Sequence, residues 1–250
     1  MNWFESWFDS PWYPILYAQR DEEEAAAFIE KLLNRLQLSA GANILDLACG
    51  RGRHARRMAA LGMSVTGVDL SEKSLADAKS QPMTNLHYHR HDMRHPLPNH
   101  KFDAVLNLFT SFGYFDDPDD DLRVIRSARS SLRAGGYLVI DYLNPNSVLP
   151  GLPTDEKIER SGVHFTLRRH YKHPWILKDI TVEDSGSVHH FQEKVRYYLP
   201  SVLSGLLTSC GFEIRTHLGD YQLNRPHEQS PRAIFICQNP IQDSNSIPEA

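Results

Sequence analysis

The first half of the chain alternates short apolar runs with helical repeats, and the second half changes rhythm. Asn43 to Leu47, Ser64 to Asp69, Phe102 to Phe109 and Tyr137 to Asn144 are compact runs rich in Ile, Leu and Val, the pattern of strands covered on both faces. Between them, Arg53 to Leu61, Ser71 to about Lys79, and Leu122 to Leu132 carry the spacing of amphipathic helices. Ser71 is a suitable cap for the second of these, and Gly135-Gly136 is expected to end the third. An earlier helix is expected from Glu22 to Leu38, with acids in its first turn and Gly41 beyond its end. Asn85 to Asp92 is more polar and reads as an edge strand. Strand alternating with helix predicts a mostly parallel sheet with both faces covered.

After Asn144 the period falls to two. Lys157 to Arg160, Val163 to Lys172, Trp175 to Glu183 and Val188 to Tyr198 alternate polar and apolar, separated by Ser-Gly, His-Pro and Ser-Gly turns. That is an antiparallel sheet with one wet face. Val202 to Cys210 returns to helix, and Phe212 to His217 and Ala233 to Cys237 supply two more strands. The fold class is therefore α/β, divided into four parts. Residues 1–40 are an N-terminal lid and helix, and 41–145 with 200–238 form the core. Residues 146–199 are an antiparallel β insert serving as substrate cap or dimer contact, and 239–250 a flexible tail. Within residues 2–17, Trp3, Phe4, Trp7 and Phe8 share a helical face that Pro11 and Pro14 interrupt. Such a segment is either a short helix pinned to the core or a lid that excludes water.

Composition narrows the function. The chain has 250 residues, 41% hydrophobic and 23% charged, enough for one globular domain with an insertion. A net charge of -4 argues against a nucleic-acid binder, so Arg51, Arg53, Arg56 and Arg57 read as a solvated helix face. No apolar run has transmembrane length, and Glu5 and Asp9 stand where a signal sequence would be basic. Cys49, Cys210 and Cys237 are widely spaced, which suggests neither disulfides nor zinc and suits a cytoplasmic location. His87, His89 and His91 share one face of the polar strand, but an alternating run on an edge is more simply a solvated face, and no metal is expected.

The chemistry concentrates between Ile44 and Ser71. Strand, glycine turn and helix aim the first N–H groups of the helix above the strand's end, and Asp69, one βαβ unit later, is placed to bind a ribose diol. Gly50-x-Gly52-x-x-Ala55 formally satisfies the dinucleotide fingerprint and leaves an NAD-dependent oxidoreductase open. Asp46 weighs against it, because a carboxylate there repels a diphosphate and suits an ammonium group. Asp46-x-Ala48-x-Gly50-x-Gly52, followed by Val68-Asp69-Leu70-Ser71, resembles the first two motifs of class I S-adenosylmethionine-dependent methyltransferases, with Ala48 where that family often has its first glycine. Three further stretches resemble the small-molecule N-methyltransferases, amino-sugar enzymes in particular: Tyr13-x-x-x-Tyr17-x-x-Arg20, Leu108 to Tyr114, and His189-His190-Phe191 leading to Tyr198.

The resemblance implies a seven-stranded, mostly parallel Rossmann-like sheet with the antiparallel insert after strand five. It also implies S-adenosyl-L-methionine as cofactor and a small-molecule acceptor, without nucleic acid or membrane; a homodimer would be built through the insert. Carried over by position, Ala48, Gly50 and Gly52 let backbone approach the methionine part, with Asp46 below. Asp69 binds the ribose, while Leu70, Asp92 and Met93 surround adenine. Tyr17 and Arg20 face the cofactor carboxylate, and Asn107 and Leu108 lie near its amino group and sulfonium. In the amino-sugar enzymes a histidine stands where Tyr114 falls, and a tyrosine of ordinary pKa near ~10 is a poor base. Tyr114 and Tyr13 are therefore expected to orient substrate in the transfer step. His54 reads as a helix-start residue, and Cys49 lacks the partners of a nucleophile. Nucleic-acid amino methylation usually has an Asn/Asp-Pro-Pro-aromatic loop where this chain has Asn107-Leu108-Phe109-Thr110. A cofactor-binding regulatory protein without turnover remains the alternative. In the insert, Arg168, Arg169, His170, Trp175 and Arg196 offer polar and aromatic contacts.

Overall fold

A computed structural model of the chain describes residues 2–18, 22–97 and 101–241. Two short helices, α1 (Trp3–Phe8) and α2 (Tyr13–Leu16), precede α3 (Glu22–Leu36). α3 stops two residues before the expected Leu38, because Gln37 already turns to φ +52. The core then runs β1 (Asn43–Leu47), α4 (Arg53–Ala60), β2 (Ser64–Asp69), α5 (Glu72–Lys79), β3 (Leu86–Arg90), β4 (Phe102–Asn107), α6 (Pro118–Ser131) and β5 (Leu132–Leu143). α7 (Pro145–Val148) leads to the insert strands β6 (Thr154–Arg160), β7 (Val163–Lys172), β8 (Trp175–Asp184) and β9 (Ser187–Arg196). α8 (Pro200–Ser209), β10 (Glu213–Leu218) and β11 (Arg232–Gln238) close the core.

The core is a seven-stranded sheet in the order β10-β11-β5-β4-β1-β2-β3, with β11 antiparallel to both neighbours and the other pairs parallel. Alternation explains the two buried layers. Leu45, Leu47, Val105 and Ile140 face α6 and α8, whereas Ile44, Val65, Ala104 and Leu106 face α3, α4 and α5. β3 is the edge strand, with Leu86 and Tyr88 turned inward and His87 and His89 exposed. The glycine pair Gly135-Gly136 does not end a helix. α6 stops at Ser131, β5 starts at once, and the pair absorbs a slip in register against β4 between Phe102 and Ala104. Gly135 has φ +76, which glycine takes up readily.

β6 to β9 form a separate antiparallel sheet, as the period-two pattern predicts. Its apolar face of Val163, Phe165, Leu167, Ile180 and Val182 is covered by the N-terminal aromatic segment, whose Trp7 is 0% exposed. The Trp12 indole N–H donates to Asp184 at 2.9 Å, fixing the same segment to the end of β8. Arg196 ties the insert to the core by donating to the carbonyls of Phe115 and Asp116 at 2.9 and 2.7 Å. Beside it the Tyr198 hydroxyl donates to the fully buried Asp121 at 2.8 Å. The sheet order reverses direction between β1 and β4, and the crevice beyond the carboxyl ends of these strands is where α/β sheets take their ligands.

Candidate active site

The turn after β1 is built from left-handed residues. Ala48, Gly50 and Gly52 have φ of +55, +55 and +78. Glycine adopts such angles freely, whereas an alanine gives up about 1 kcal/mol. Gly50 also faces open space: a Cβ added there meets no atom within 4 Å among the described residues. Asp69, at the end of β2, is clamped under this backbone. Its Oδ2 accepts the Gly50 N–H and its Oδ1 the Ser71 N–H, both at 2.8 Å. Burial pushes its carboxyl up, opposed by the N–H groups of Ser71, Gly50 and Leu70. Both oxygens keep a second lone pair.

Behind the turn lies a second carboxylate. Asp46 is 1% exposed, and its Oδ2 has no hydrogen-bond partner among the described residues. Burial, then the charge of Asp69, pushes its pKa up to about 7, against the pull of Arg53 and the Ala55 N–H. Asn107, paired with Leu47 across β4 and β1, is equally buried. Its amide donates to the Ser111 carbonyl at 3.3 Å, while its Oδ1 is likewise without a partner among the described residues. Two buried acceptors without donors beneath an open glycine turn make an electronegative floor.

A cleft of about 830 Å³ opens above this floor. Its walls are the turn (Ala48, Gly50, Asp69), the loop after β4 (Leu108 to Ser111), the aromatics Trp3, Phe8, Tyr13, Tyr17 and Tyr114, and the insert residues Lys178, Glu193 and Val195. A cavity of about 70 Å³ shares Ala48, Asp69 and Tyr114 with it and adds Leu70, His91 and Met93. Of the residues predicted from sequence, Tyr13, Tyr17, Ala48, Gly50, Asp69, Leu108 and Tyr114 therefore meet in the cleft, and Leu70 and Met93 in the side cavity. Asp46, Gly52 and Asn107 stand behind the lining. Asp92 departs from expectation. Its carboxylate is held by Arg94, with Nη2 at 2.6 Å, and does not line either cavity. Arg94, two residues away, donates to both of its oxygens, and it is His91 that stands on the wall. Arg20 lies outside the described residues.

The insert contributes other residues than those singled out from sequence. Lys178 and Glu193 are cross-strand partners on β8 and β9, with 2.7 Å between Nζ and Oε2 and side chains 17% and 18% exposed. Glu193 also accepts from the Trp7 indole at 2.7 Å and from the Tyr17 hydroxyl at 2.5 Å. Burial works against its charge, but Lys178, Tyr17 and Trp7 together hold its carboxyl below the usual range. The signal for them was in the sequence: each is a charge in an apolar slot, Lys178 in register with Ile180 and Val182, Glu193 with Phe191 and Val195. Arg168 and His170 line a separate groove, while Arg196 is a buried anchor whose guanidinium lies 4.5 Å over Trp175. Arg51, Arg53 and Arg56, read as a solvated face, instead line the cleft, because the glycine turn rotates the start of α4 toward it. Cys49 is buried, and desolvation together with Asp46 and Asp69 pushes its thiol far up, which leaves it inert.

Among the described residues no cluster of His, Cys, Asp and Glu could hold a metal, and no helix is long and apolar enough to cross a membrane. The sequence profile described as a methyltransferase domain matches residues 44–136. A dTDP-3-amino-3,6-dideoxy-alpha-D-glucopyranose N,N-dimethyltransferase of Streptomyces fradiae is 30% identical over 179 residues, which cover 68% of this chain and 69% of that protein. A sugar N-methyltransferase from a Streptoalloteichus species superposes with a TM-score of 0.73 at 26% identity, over 92% of this chain and 93% of that one. A methyltransferase from Streptomyces caelestis shares the fold with a TM-score of 0.78 at 20% identity, over 94% and 98% of the two chains.

Proposed function

We propose that this chain, which belongs to the family of S-adenosylmethionine-dependent methyltransferases, methylates the amine of a small polar molecule held between its core and its insert. The observation that carries the reading is the Asp69 carboxylate, fixed by the Gly50 and Ser71 N–H groups beside Gly50, where a Cβ would meet no atom within 4 Å among the described residues.

The residues present fit the cofactor. Asp69 offers lone pairs to a diol, Gly50 leaves room for close approach, and the partnerless oxygens of Asp46 and Asn107 favour a positively charged amino-acid end. Leu70 and Met93 would flank the adenine face, with His91 beside them where the sequence pattern expects Asp92. Tyr17 is committed to Glu193 and Lys178, so its proposed part is to shape the cleft rather than to bind a carboxylate alone. When bound, the cofactor supplies a methyl group already activated on a sulfonium, and the protein's task is alignment and the exclusion of water.

Trp3, Phe8, Tyr13 and Tyr114 would do both. Trp3 donates its indole N–H to the Tyr114 carbonyl at 3.3 Å, and the two rings meet edge to face with centroids 5.1 Å apart. Such faces attract an amine or its methylated ammonium product. Lys178 and Glu193 together carry no net charge and offer both a donor and an acceptor to a polar, uncharged part of the acceptor. In this reading the amine nitrogen arrives without its extra proton, a tyrosine of ordinary pKa near ~10 being a poor base. The activities of the Streptomyces fradiae and Streptoalloteichus relatives, both N-methyl transfers to sugars, support an amine over a hydroxyl. In this reading residues 1–40 and 146–199 enclose the acceptor and 41–145 with 200–238 hold the donor. Three buried free thiols suit a reducing cytoplasm.

The test is calorimetric titration with S-adenosylhomocysteine, followed by donor consumption across paired amino sugars, small amines and their hydroxyl counterparts. Binding in the micromolar range or tighter and consumption with amines alone is the expected result. Loss of turnover across the whole panel with binding intact would favour a regulatory cofactor binder, and NADH binding without S-adenosylhomocysteine binding would return the oxidoreductase.

A further inference from the structure

Two consecutive residues without the freedom of glycine, Phe109 and Thr110, have φ of +58 and +59. An aromatic and a β-branched side chain are among the residues least tolerant of that region, and side by side they need external support. The support converges on one residue, Asp141 near the end of β5, itself 1% exposed. Its Oδ2 accepts the Phe109 N–H at 2.7 Å and the Tyr221 hydroxyl at 3.0 Å, and its backbone carbonyl accepts the Thr110 N–H at 2.9 Å. Its Oδ1 accepts Nε of Arg232 at 2.7 Å, and the same guanidinium donates through Nη2 to the Thr110 hydroxyl at 2.9 Å. The Phe109 ring is held from two sides, with the guanidinium of Arg53 4.6 Å from its centroid and that of Arg232 5.8 Å. Strained backbone that is over-determined in this way belongs to sites where geometry matters more than stability.

We infer that Asp141 is a positioning residue, which holds Phe109 and Thr110 left-handed and thereby fixes the cleft wall from Leu108 to Ser111 against which the methyl donor is set. The inference rests on the proposed donor site, since Leu108 belongs to that wall and Asn107 stands behind it. Released from Asp141, both residues fall back to negative φ, and the Leu108 and Ser111 carbonyls, which accept the Ser111 hydroxyl and the Asn107 amide, turn with them. Asp141 touches no reacting atom and acts only through the loop.

The distinguishing feature is that glycine at position 110 reaches a left-handed conformation without help. Asp141→Asn keeps one oxygen but replaces the other acceptor by an NH2 that cannot accept from Phe109 or Arg232. It is expected to weaken S-adenosylhomocysteine binding by about tenfold in calorimetry, as the loss of a charge-assisted contact does. Thr110→Gly in the Asp141→Asn background should bind within about threefold of Thr110→Gly alone. A merely structural role gives no such rescue. Where Asp141→Asn does not fold, Tyr221→Phe carries the test, because it removes only the hydroxyl on the oxygen that Phe109 uses. Its expected loss is about threefold, again recovered by Thr110→Gly. Unchanged affinity in Asp141→Asn and in Tyr221→Phe, or losses that add when Thr110→Gly is combined with either, would overturn the positioning role. Failure of the unmodified chain to bind S-adenosylhomocysteine would instead overturn the donor site itself.

Discussion

A Cβ on Gly52 would stand 2.0 Å from the hydroxyl oxygen of Tyr88, and one on Gly67 would stand 2.7 Å from the same ring. A single tyrosine from the edge strand thus wedges between the glycine turn and β2, and two glycines exist to admit it. Gly52 carries the further demand of φ +78, as the cap of α4. Gly50 has the angle without the wedge, with φ +55 and open space where its side chain would be.

Alanine at the two positions should therefore fail in different ways. Gly52→Ala displaces Tyr88 and is expected to lower unfolding free energy by about 2–4 kcal/mol, from overpacking and the left-handed backbone together. Gly50→Ala meets no neighbour and should lose only about 1 kcal/mol, yet its methyl group occupies the approach to the turn and should weaken S-adenosylhomocysteine binding by more than about tenfold. Denaturant titration and calorimetry on both variants check the contrast. Undiminished affinity in Gly50→Ala would mean that the glycine serves the backbone angle alone.

Ala48 gives the opposite substitution. It sits at φ +55 on the wall of the cleft, partly buried against the core. Ala48→Gly removes a left-handed penalty of about 1 kcal/mol and adds unfolded-state entropy of roughly half that, for a net gain of about 0.5 kcal/mol. The melting temperature should rise by about 1–2 °C on a chain of this size. A fall would show that the lost methyl contact outweighs the strain.

The sheet, the glycine turn, Asp69 and the antiparallel insert were legible because each is a local pattern: period, punctuation, or an acid at a strand's end. Side-chain competition was not. Asp92 was assigned to adenine on position, but Arg94 sits two residues on and takes both its oxygens. Lys178 and Glu193 leave a signal in the alternation, a charge in the apolar slot of each strand, but register sets which of their neighbours they meet. Gly135-Gly136 was read as a helix end, since a strand bulge and a helix stop use the same residue. Asp141 left no local trace. Its partners Phe109, Tyr221 and Arg232 are spread over three segments of the chain.

The Lys178–Glu193 pair should behave as one unit that fastens the N-terminal segment to the insert. Glu193→Ala leaves a partly buried ammonium unpaired and frees the Trp7 and Tyr17 donors, a loss on the order of 3 kcal/mol. Because the folded state holds the Glu193 carboxyl below its usual 4.5, its contribution is present above that pH and fades as pH falls through the lowered folded value. Denaturant midpoints at pH 7 should therefore differ strongly between Glu193→Ala and the unmodified chain, and the difference should shrink in acid. Equal midpoints at pH 7 would mean that aromatic packing alone holds the segment.

Asp46 would make the proposed donor site sensitive to pH in a defined direction. Its folded pKa of about 7 exceeds the ordinary 3.8, so between those values the folded chain binds a proton that the unfolded chain has lost. Stability attributable to this residue is thus full below the ordinary value, declines as pH rises and levels off above about 7. A ligand with a positively charged amino-acid end reverses the balance, because its charge favours the carboxylate. Affinity for S-adenosylmethionine should accordingly rise by up to about tenfold from pH 6 to pH 8, with a proton released on binding at the lower pH. Asp46→Asn should bind more weakly at pH 8 and show neither effect. Calorimetry in phosphate and Tris, whose ionisation enthalpies differ, reads the released proton directly. An identical pH slope in Asp46→Asn would assign the titration to another group and take the cationic end of the donor away from Asp46.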